Sequence, residues 1–537
     1  MRRTALALAA VALSWMSVAT ANASEATMTR FEEGAVKGAH TEHATVFKGI
    51  PFATPPVGEN RWRAPQDVTP WEGVRDATQF APSCLQKPMD GDEAPIYDNL
   101  SEDCLYLNVW QPRDDQEKHP VMVWIHGGGF VNGGGASEIY NGERFARDGV
   151  VLVSINYRLG RFGFFDHPAL EGEVGPKGNF GLMDQKKALE WVQRNISRIG
   201  GDPNNVTVFG ESAGGNSVLQ LASQPESQAL FQRAIVMSGG GRDLMNSAYP
   251  RTSADDDTGK PPRSAEAFGL KFATSHGIEG RDTDALSRLR ALPAEAIVGE
   301  LNMMTLPGVR ARQHDYVGGP FIDGQTVVAP VAERFERGQQ AKVPLMIGTT
   351  DNDLGSMTAD TKEALFARFG SIAEQVRAEY DPDGTRSLSD LARALGRDEK
   401  MNEPARFIAR KALEHNQPTW FYRFGHVANE KRGDWNGAPH ATDVPYAFDT
   451  LDTRFDPTTL DDADRQAAAD FHAYLVNFAR TGDPNGNGLP NWPRMTAPDG
   501  PLLKMPAVDR PYALEKDPWT SALDLVERYV TRTDRRA

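Results

Sequence analysis

The chain has 537 residues, a formal charge of −15 from 58 Lys+Arg against 73 Asp+Glu, and two cysteines. Hydrophobic residues make up 40% and aromatics 9%, ordinary globular composition that excludes a disordered chain. No apolar run reaches the roughly 20 residues of a membrane span. The acidic balance speaks against nucleic acid as a partner, and two cysteines exclude a disulfide scaffold or a Cys-rich zinc site. The expectation is a soluble acidic enzyme without a stable membrane anchor.

At the N-terminus, Met1-Arg2-Arg3 precedes a short Ala/Leu/Val-rich stretch that closes on Ala21-Asn22-Ala23. That pattern predicts a cleaved export signal over residues 1–23 and a periplasmic or secreted protein. Ser24 offers no thiol for lipid attachment, and the adjacent arginines hint at twin-arginine export. An oxidising compartment then favours a disulfide between Cys84 and Cys104, flanking a polar stretch that reads as a surface loop.

Near-continuous apolar runs at Val121–Ile125, Val150–Ile155, Val206–Phe209, Ala234–Met237, Val343–Ile347 and Trp420–Phe424 read as strands covered on both faces. Leu182, Leu189, Val192, Ile196 and Ile199 share one helical face, which Gly200-Gly201 ends. Ala467, Phe471, Tyr474, Leu475 and Phe478 repeat that spacing. Strands alternating with helices predict an α/β fold with a mainly parallel central sheet and helices on both faces. Between 239 and 342 strand signal is sparse. Helix-like segments at Ala265–His276 and Thr283–Leu292, with an exposed loop at Pro250–Pro262, suggest an inserted cap on a single domain over 24–537.

Gly210-Glu211-Ser212-Ala213-Gly214 lies between a strand and a helix, the setting of a nucleophile elbow. The sharp turn needs small residues two before and two after Ser212, and the Ala213 N–H then lies at the positive end of a helix. His126-Gly127-Gly128-Gly129-Phe130 follows the Val121–Ile125 strand, where glycines let backbone N–H groups approach a substrate. A second cluster, Gly133-Gly134-Gly135, reads as loop flexibility.

With Phe47-Lys48-Gly49-Ile50-Pro51-Phe52-Ala53, Ser101-Glu102-Asp103-Cys104-Leu105-Tyr106-Leu107-Asn108-Val109, Asn156-Tyr157-Arg158-Leu159-Gly160, Gly178-Asn179-Phe180-Gly181-Leu182-Met183-Asp184-Gln185 and Gly482-Asp483-Pro484-Asn485, the chain resembles the type-B carboxylesterase/lipase family. These are α/β-hydrolases related to the cholinesterases. The resemblance implies oxyanion donors at the N–H groups of Gly128, Gly129 and Ala213, and it supports the Cys84–Cys104 pairing. His440, in Gly437-Ala438-Pro439-His440-Ala441-Thr442-Asp443, is similar to the family's catalytic histidine; His126 and His426 read as structural. The acid follows the Val343–Ile347 strand. Asp353 takes the place of the family's glutamate, with Leu354 where a glycine is usual and Asp351 as the alternative. Aspartate is one methylene shorter, so the backbone must come closer to His440. The order Ser212, Asp353, His440 is that of α/β-hydrolases.

The implied activity is serine carboxylesterase chemistry on a small-molecule ester, with no cofactor and no metal. Specialised aromatic, feruloyl, pesticide or mycotoxin esters stay open as substrates, as do a serine amidase and a non-catalytic binding module. No tryptophan lies between Cys84 and Cys104, which speaks against a cholinesterase-type cation site. Glu211 either influences cationic substrates or supports the elbow. The Leu301–Leu306 run is a candidate acyl-pocket wall, and Arg310 and Arg312 are candidate anion contacts. Oligomeric state is left open.

Overall fold

A computed structural model describes residues 26–92, 94–114, 116–242, 249–254, 262–307, 309, 313–505 and 513–532. The export signal over 1–23, the Asp255–Asp257 part of the predicted loop, and Arg310 and Arg312 lie outside the described residues.

Among the described residues thirteen strands join one sheet, and two more pair apart from it. Its centre is parallel: Val151–Ile155, His119–Ile125, Gly201–Glu211, Arg233–Met237, Leu345–Thr350 and Thr419–Phe424 lie side by side in that order. These six correspond to the six apolar runs, with ends shifted; the strand before Asp353 extends to Thr350. The edges differ. Ala35–His40, Ala44–Pro51 and Tyr106–Pro112 form an antiparallel wing, and Ala513–Glu515 closes the far edge antiparallel.

Side chains alternate across each strand, and the two sets serve different cores. Val121, Val123 and Ile125 pack with Leu182, Leu189 and Val192 of the helix Phe180–Asn195 and with Val218 and Leu219 of Ala213–Ser223. Met122 and Trp124 face the other way, onto Phe471, Leu475 and Phe478 of Asp462–Thr481. Both faces are therefore covered, as the continuous apolar runs require. This is the mainly parallel sheet with helices on both faces that the sequence predicts.

The segment 239–342 crosses between neighbouring strands, and its regular elements among the described residues are helices, with Ala265–Ser275 and Thr283–Arg290 close to their predicted places. Its apolar side chains Phe272, Leu286, Leu289 and Ile297 form a smaller core with Trp62, Phe162, Phe165 and Leu170. Arg161 ties it down, donating to the Ile297 carbonyl at 3.0 Å and to Asp315 at 2.6 Å. A second helical excursion, from Lys362–Ala367 to Glu403–Glu414, lies between the last two central strands and packs on the helix Thr520–Val530. Sequence patterning did not separate it from the main core.

Cys84 and Cys104 are bonded. Both are buried, at 3% and 1% exposure, so the expected surface staple is an internal one. Short parallel pairing of Ser83–Cys84 with Leu100–Ser101 lies beside it. The loop it closes is only partly superficial: Gln86 is buried and binds Gly133 through both its amide atoms, at 2.7 and 2.8 Å. Replacing both cysteines by serine should cost about 3 kcal/mol of stability on the chain-entropy model. Denaturant unfolding measures this, and thiol titration of the unfolded, unreduced protein should find no free thiol.

Candidate active site

The central strand Gly201–Glu211 ends at Ser212, and the helix Ala213–Ser223 begins at the next residue. Ser212 has φ 55° and ψ −122°, a sparsely populated backbone state for a residue with a side chain. The surroundings hold it there. Its N–H donates to the Met237 carbonyl at 2.9 Å and its carbonyl accepts from Asn216 N–H at 2.9 Å. A Cβ on Gly210 would lie 2.6 Å from the Gly214 backbone, and one on Gly214 would lie 2.0 Å from the Ile125 carbonyl oxygen. The small residues around the serine are thus required by the close crossing of strand and helix. Ala213, as the first helical residue, has an N–H with no partner inside the helix.

The triple-glycine turn runs alongside. A Cβ on Gly127 would meet Ser212 Cβ at 3.1 Å, while Gly128 and Gly129 have φ of +99° and +62°. The Gly128 carbonyl accepts from both Val131 and Asn132, at 3.0 and 2.8 Å, which closes the turn. The second glycine cluster is not a flexible loop. Gly133 is clamped by Gln86, and Gly135 N–H donates to Asn156 at 2.8 Å. Its glycines allow close packing: a Cβ on Gly133 would lie 2.3 Å from His126 Nδ1.

Asp353 leaves the end of Leu345–Thr350 and is buried. Its Oδ1 lies 2.6 Å from His440 Nδ1 and accepts from Leu354 N–H at 2.7 Å. Its Oδ2 accepts from Ser238 Oγ at 2.7 Å and from Thr350 N–H at 3.1 Å. Burial alone would raise the Asp353 carboxyl; the His440 ring and these donors outweigh it and hold the group below its ordinary value. Asp351 does not contact His440: its carboxylate accepts from Ala438 N–H at 2.7 Å.

The other face of the His440 ring system meets Glu211, whose Oε1 is 3.1 Å from Nε2. Burial works against a charged imidazole here, but Glu211 and Asp353 together outweigh it, and His440 is pushed up to about 9. A third carboxyl, Asp443, is fully buried. Burial, and then repulsion from Asp353, push it up to about 7, and it accepts from Tyr422 OH at 3.3 Å. His126 has the opposite environment. Burial drives it down to about 4, and its ring stacks on Tyr157 with centroids 4.4 Å apart. His426 binds Asp464 at 2.8 Å, away from these groups.

Ser212, Asp353 and His440 line one cavity of about 300 Å³ with Gly127, Gly128 and Glu211. Its apolar wall includes Met89, Ala94, Ile139, Met303, Leu354 and Val444. Of the Leu301–Leu306 run, Met303 reaches the cavity, Leu301 is buried in the main core and Met304 is exposed. Sequence reasoning missed Ser238, Tyr422 and the place of Asp443. Ser238 had a local signal, the Met237-Ser238-Gly239 turn at the end of an apolar run, where its φ is 46°.

The Carboxylesterase family profile matches residues 25–513. The fumonisin B1 esterase of Sphingopyxis macrogoltabida is 33% identical over 489 residues, covering 86% of this chain and 83% of that protein. The para-nitrobenzyl esterase of Bacillus subtilis is 34% identical over 477 residues, covering 86% and 91%. Among solved structures, a PNB esterase superposes with a TM-score of 0.77 at 32% identity, covering 93% of this chain and 99% of its own.

Glu211 is the first cause that lifts the His440 ring against burial. Replacing Glu211 with Gln should therefore lower the His440 pKa from near 9 by roughly 1–3 pH units. The downfield imidazole N–H resonance, followed by NMR through a pH titration, reads this directly; an unmoved titration contradicts it.

Proposed function

We infer the function from one premise: the chain belongs to the carboxylesterase family. It is a serine hydrolase of carboxylic esters. The residue roles are our proposal, and one observation carries them: a serine held at a strained elbow shares a cavity with a histidine whose Nδ1 is bound by a buried aspartate. Ser212 Oγ attacks the ester carbonyl while Nε2 of His440, in its uncharged form, takes its proton. The N–H groups of Gly128, Gly129 and Ala213 hold the negative tetrahedral oxygen. His440 returns the proton to the departing alcohol, leaving an acyl group on Ser212. Water attacks the acyl-enzyme, again losing its proton to His440, and the acid product departs. Asp353 fixes the imidazole tautomer and balances its charge.

Residues 1–23 are proposed as an export signal, a reading with which the internal disulfide agrees. Among the described residues no helix is long and apolar enough to cross a membrane. The segment around 239–342 is proposed as a cap, because it brings Met303 to the cavity wall through a 2.9 Å hydrogen bond from its N–H to Asn132 Oδ1.

The lining also bears on the ester. Asp92, Glu211 and Asp353 face the cavity against one basic side chain, His440, and no Lys or Arg does among the described residues. Such a site suits uncharged esters with apolar acyl or alcohol groups, aromatic ones included, and repels a free carboxylate on the substrate.

Two measurements check these readings. Ser212→Ala and Asp353→Asn should fold with unchanged circular dichroism. The first should lose nearly all turnover of p-nitrophenyl acetate and the second roughly 100-fold or more, since the wrong tautomer is then favoured. Retained turnover in Ser212→Ala defeats the assignment. In an ester panel, p-nitrophenyl hemisuccinate should show kcat/KM lower than p-nitrophenyl butyrate by roughly tenfold or more; equal values would mean that the cavity charge does not select substrates.

A further inference from the structure

Asp351 occupies the first position after the strand Leu345–Thr350, two residues before Asp353. Its backbone N–H donates to the Phe424 carbonyl at 2.8 Å, and its carbonyl accepts from Arg397 Nη1 at 2.7 Å. The main chain of the turn is thus held from the neighbouring strand and from the end of the helix Leu388–Arg397. The side chain points elsewhere, to the loop that carries His440. Oδ1 accepts from Ala438 N–H at 2.7 Å, two residues before the histidine.

Three links follow one another along the two segments. The Asp351 carboxylate meets Ala438 N–H, Asn352 N–H meets the Ala438 carbonyl at 3.1 Å, and Asp353 meets His440 at 2.6 Å. The histidine loop and the end of the strand Thr419–Phe424 make room for the first link. A Cβ on Gly437 would lie 2.6 Å from Asp351 Oδ1, and one on Gly425 would lie 2.7 Å from Oδ2. Gly437 also has φ +101°, a backbone state that glycine tolerates far better than other residues. The carboxylate therefore fills a slot whose walls are two glycines. The largest charge effects on the His440 ring come from Glu211, Asp353 and Asp443. What Asp351 supplies is an acceptor at a fixed place.

We propose that Asp351 is a positioning residue for ester hydrolysis: its carboxylate clasps the histidine loop to the acid turn and so sets the approach of His440 to Asp353. This rests on the reading of Ser212, His440 and Asp353 as the reacting groups. Displacement of a reacting group by about 1 Å can cost roughly 100-fold in rate, so the effect belongs in turnover and not in substrate binding.

The test measures kcat and KM for p-nitrophenyl acetate in Asp351→Ala, Asp351→Asn and Ser212→Ala of the full chain, alongside thermal melts. Asp351→Ala should lower kcat by roughly 10- to 100-fold, with KM near the wild-type value. Asp351→Asn should recover most of that turnover, because its amide oxygen still accepts from Ala438 N–H. Where Asp351→Ala does not give folded protein, Asp351→Ser takes its place, since a serine hydroxyl is too short to make the link. Wild-type kcat in the Ala or Ser variant overturns the clasp. So does an Asn variant as impaired as the Ala or Ser variant, which would assign Asp351 an electrostatic role. Ser212→Ala with wild-type turnover would instead sink the underlying triad reading, whereas loss there with intact Asp351→Ala sinks the clasp alone.

Discussion

The site depends on keeping one carboxylate charged inside the protein. Asp353 is buried, and removing an ion from water costs several kcal/mol unless neighbours replace the lost hydration. Four donors do so: the His440 ring, Ser238 Oγ, and the N–H groups of Thr350 and Leu354. They come from three places along the chain, the acid turn itself, the end of Arg233–Met237 and the loop after Thr419–Phe424. Neighbouring parallel strands must therefore end at matching heights before the carboxylate is satisfied. The order of the sheet and the charge of the site are one requirement.

The central strands are mostly apolar on both faces, and polar side chains within them such as Ser154 and Arg423 hold partners of their own, Gly135 and Asp517. Any polar side chain within the central strands would need its own partner in one of the two cores, so the polar groups collect where the strands stop. Ligand sites in open α/β sheets lie at the carboxyl ends of the strands for this reason as well as for the helix N-termini presented there. Ser212 follows Gly201–Glu211, Ser238 follows Arg233–Met237, Asp353 follows Leu345–Thr350, and His440 lies beyond Thr419–Phe424. The backbone strain at Ser212 and Ser238, both at positive φ, is stored at the ends of strands whose packing fixes their direction.

The legible parts of the molecule were those with local causes. The elbow could be read because Gly210 and Gly214 are demanded by a crossing five residues long, and the central strands because burial on both faces leaves a continuous apolar run. The antiparallel wing Ala26–Pro51 has short strands with mixed burial, and the excursion from Lys362 to Glu414 makes its own small core, so neither gave a pattern that stood out. The polar network was beyond reach for a different reason. Ser238 and Asp353 are 115 residues apart, and nothing in either neighbourhood specifies the other. The Gly133–Gly135 cluster was misread because glycine serves close packing and mobility alike, and only the hydrogen bonds of Gln86 and Asn156 tell them apart.

Reading Asp353 in the place of a glutamate requires the acid turn and the histidine loop to approach by about a methylene more, and a side chain cannot make up that distance alone. The two backbones meet beside it: Asn352 and Pro439 pair as an isolated parallel bridge, next to the Asp351 contact with Ala438. Such a bridge draws two chains to the spacing of neighbouring strands, about 4.8 Å, and it can form only where no side chain intervenes. Gly437 supplies that space on the histidine side. The shorter acid, the aspartate two residues before it and the glycine opposite that aspartate then form one mutually dependent set. Lengthening Asp353 without loosening the bridge would crowd His440, and loosening the bridge without lengthening Asp353 would break the 2.6 Å contact.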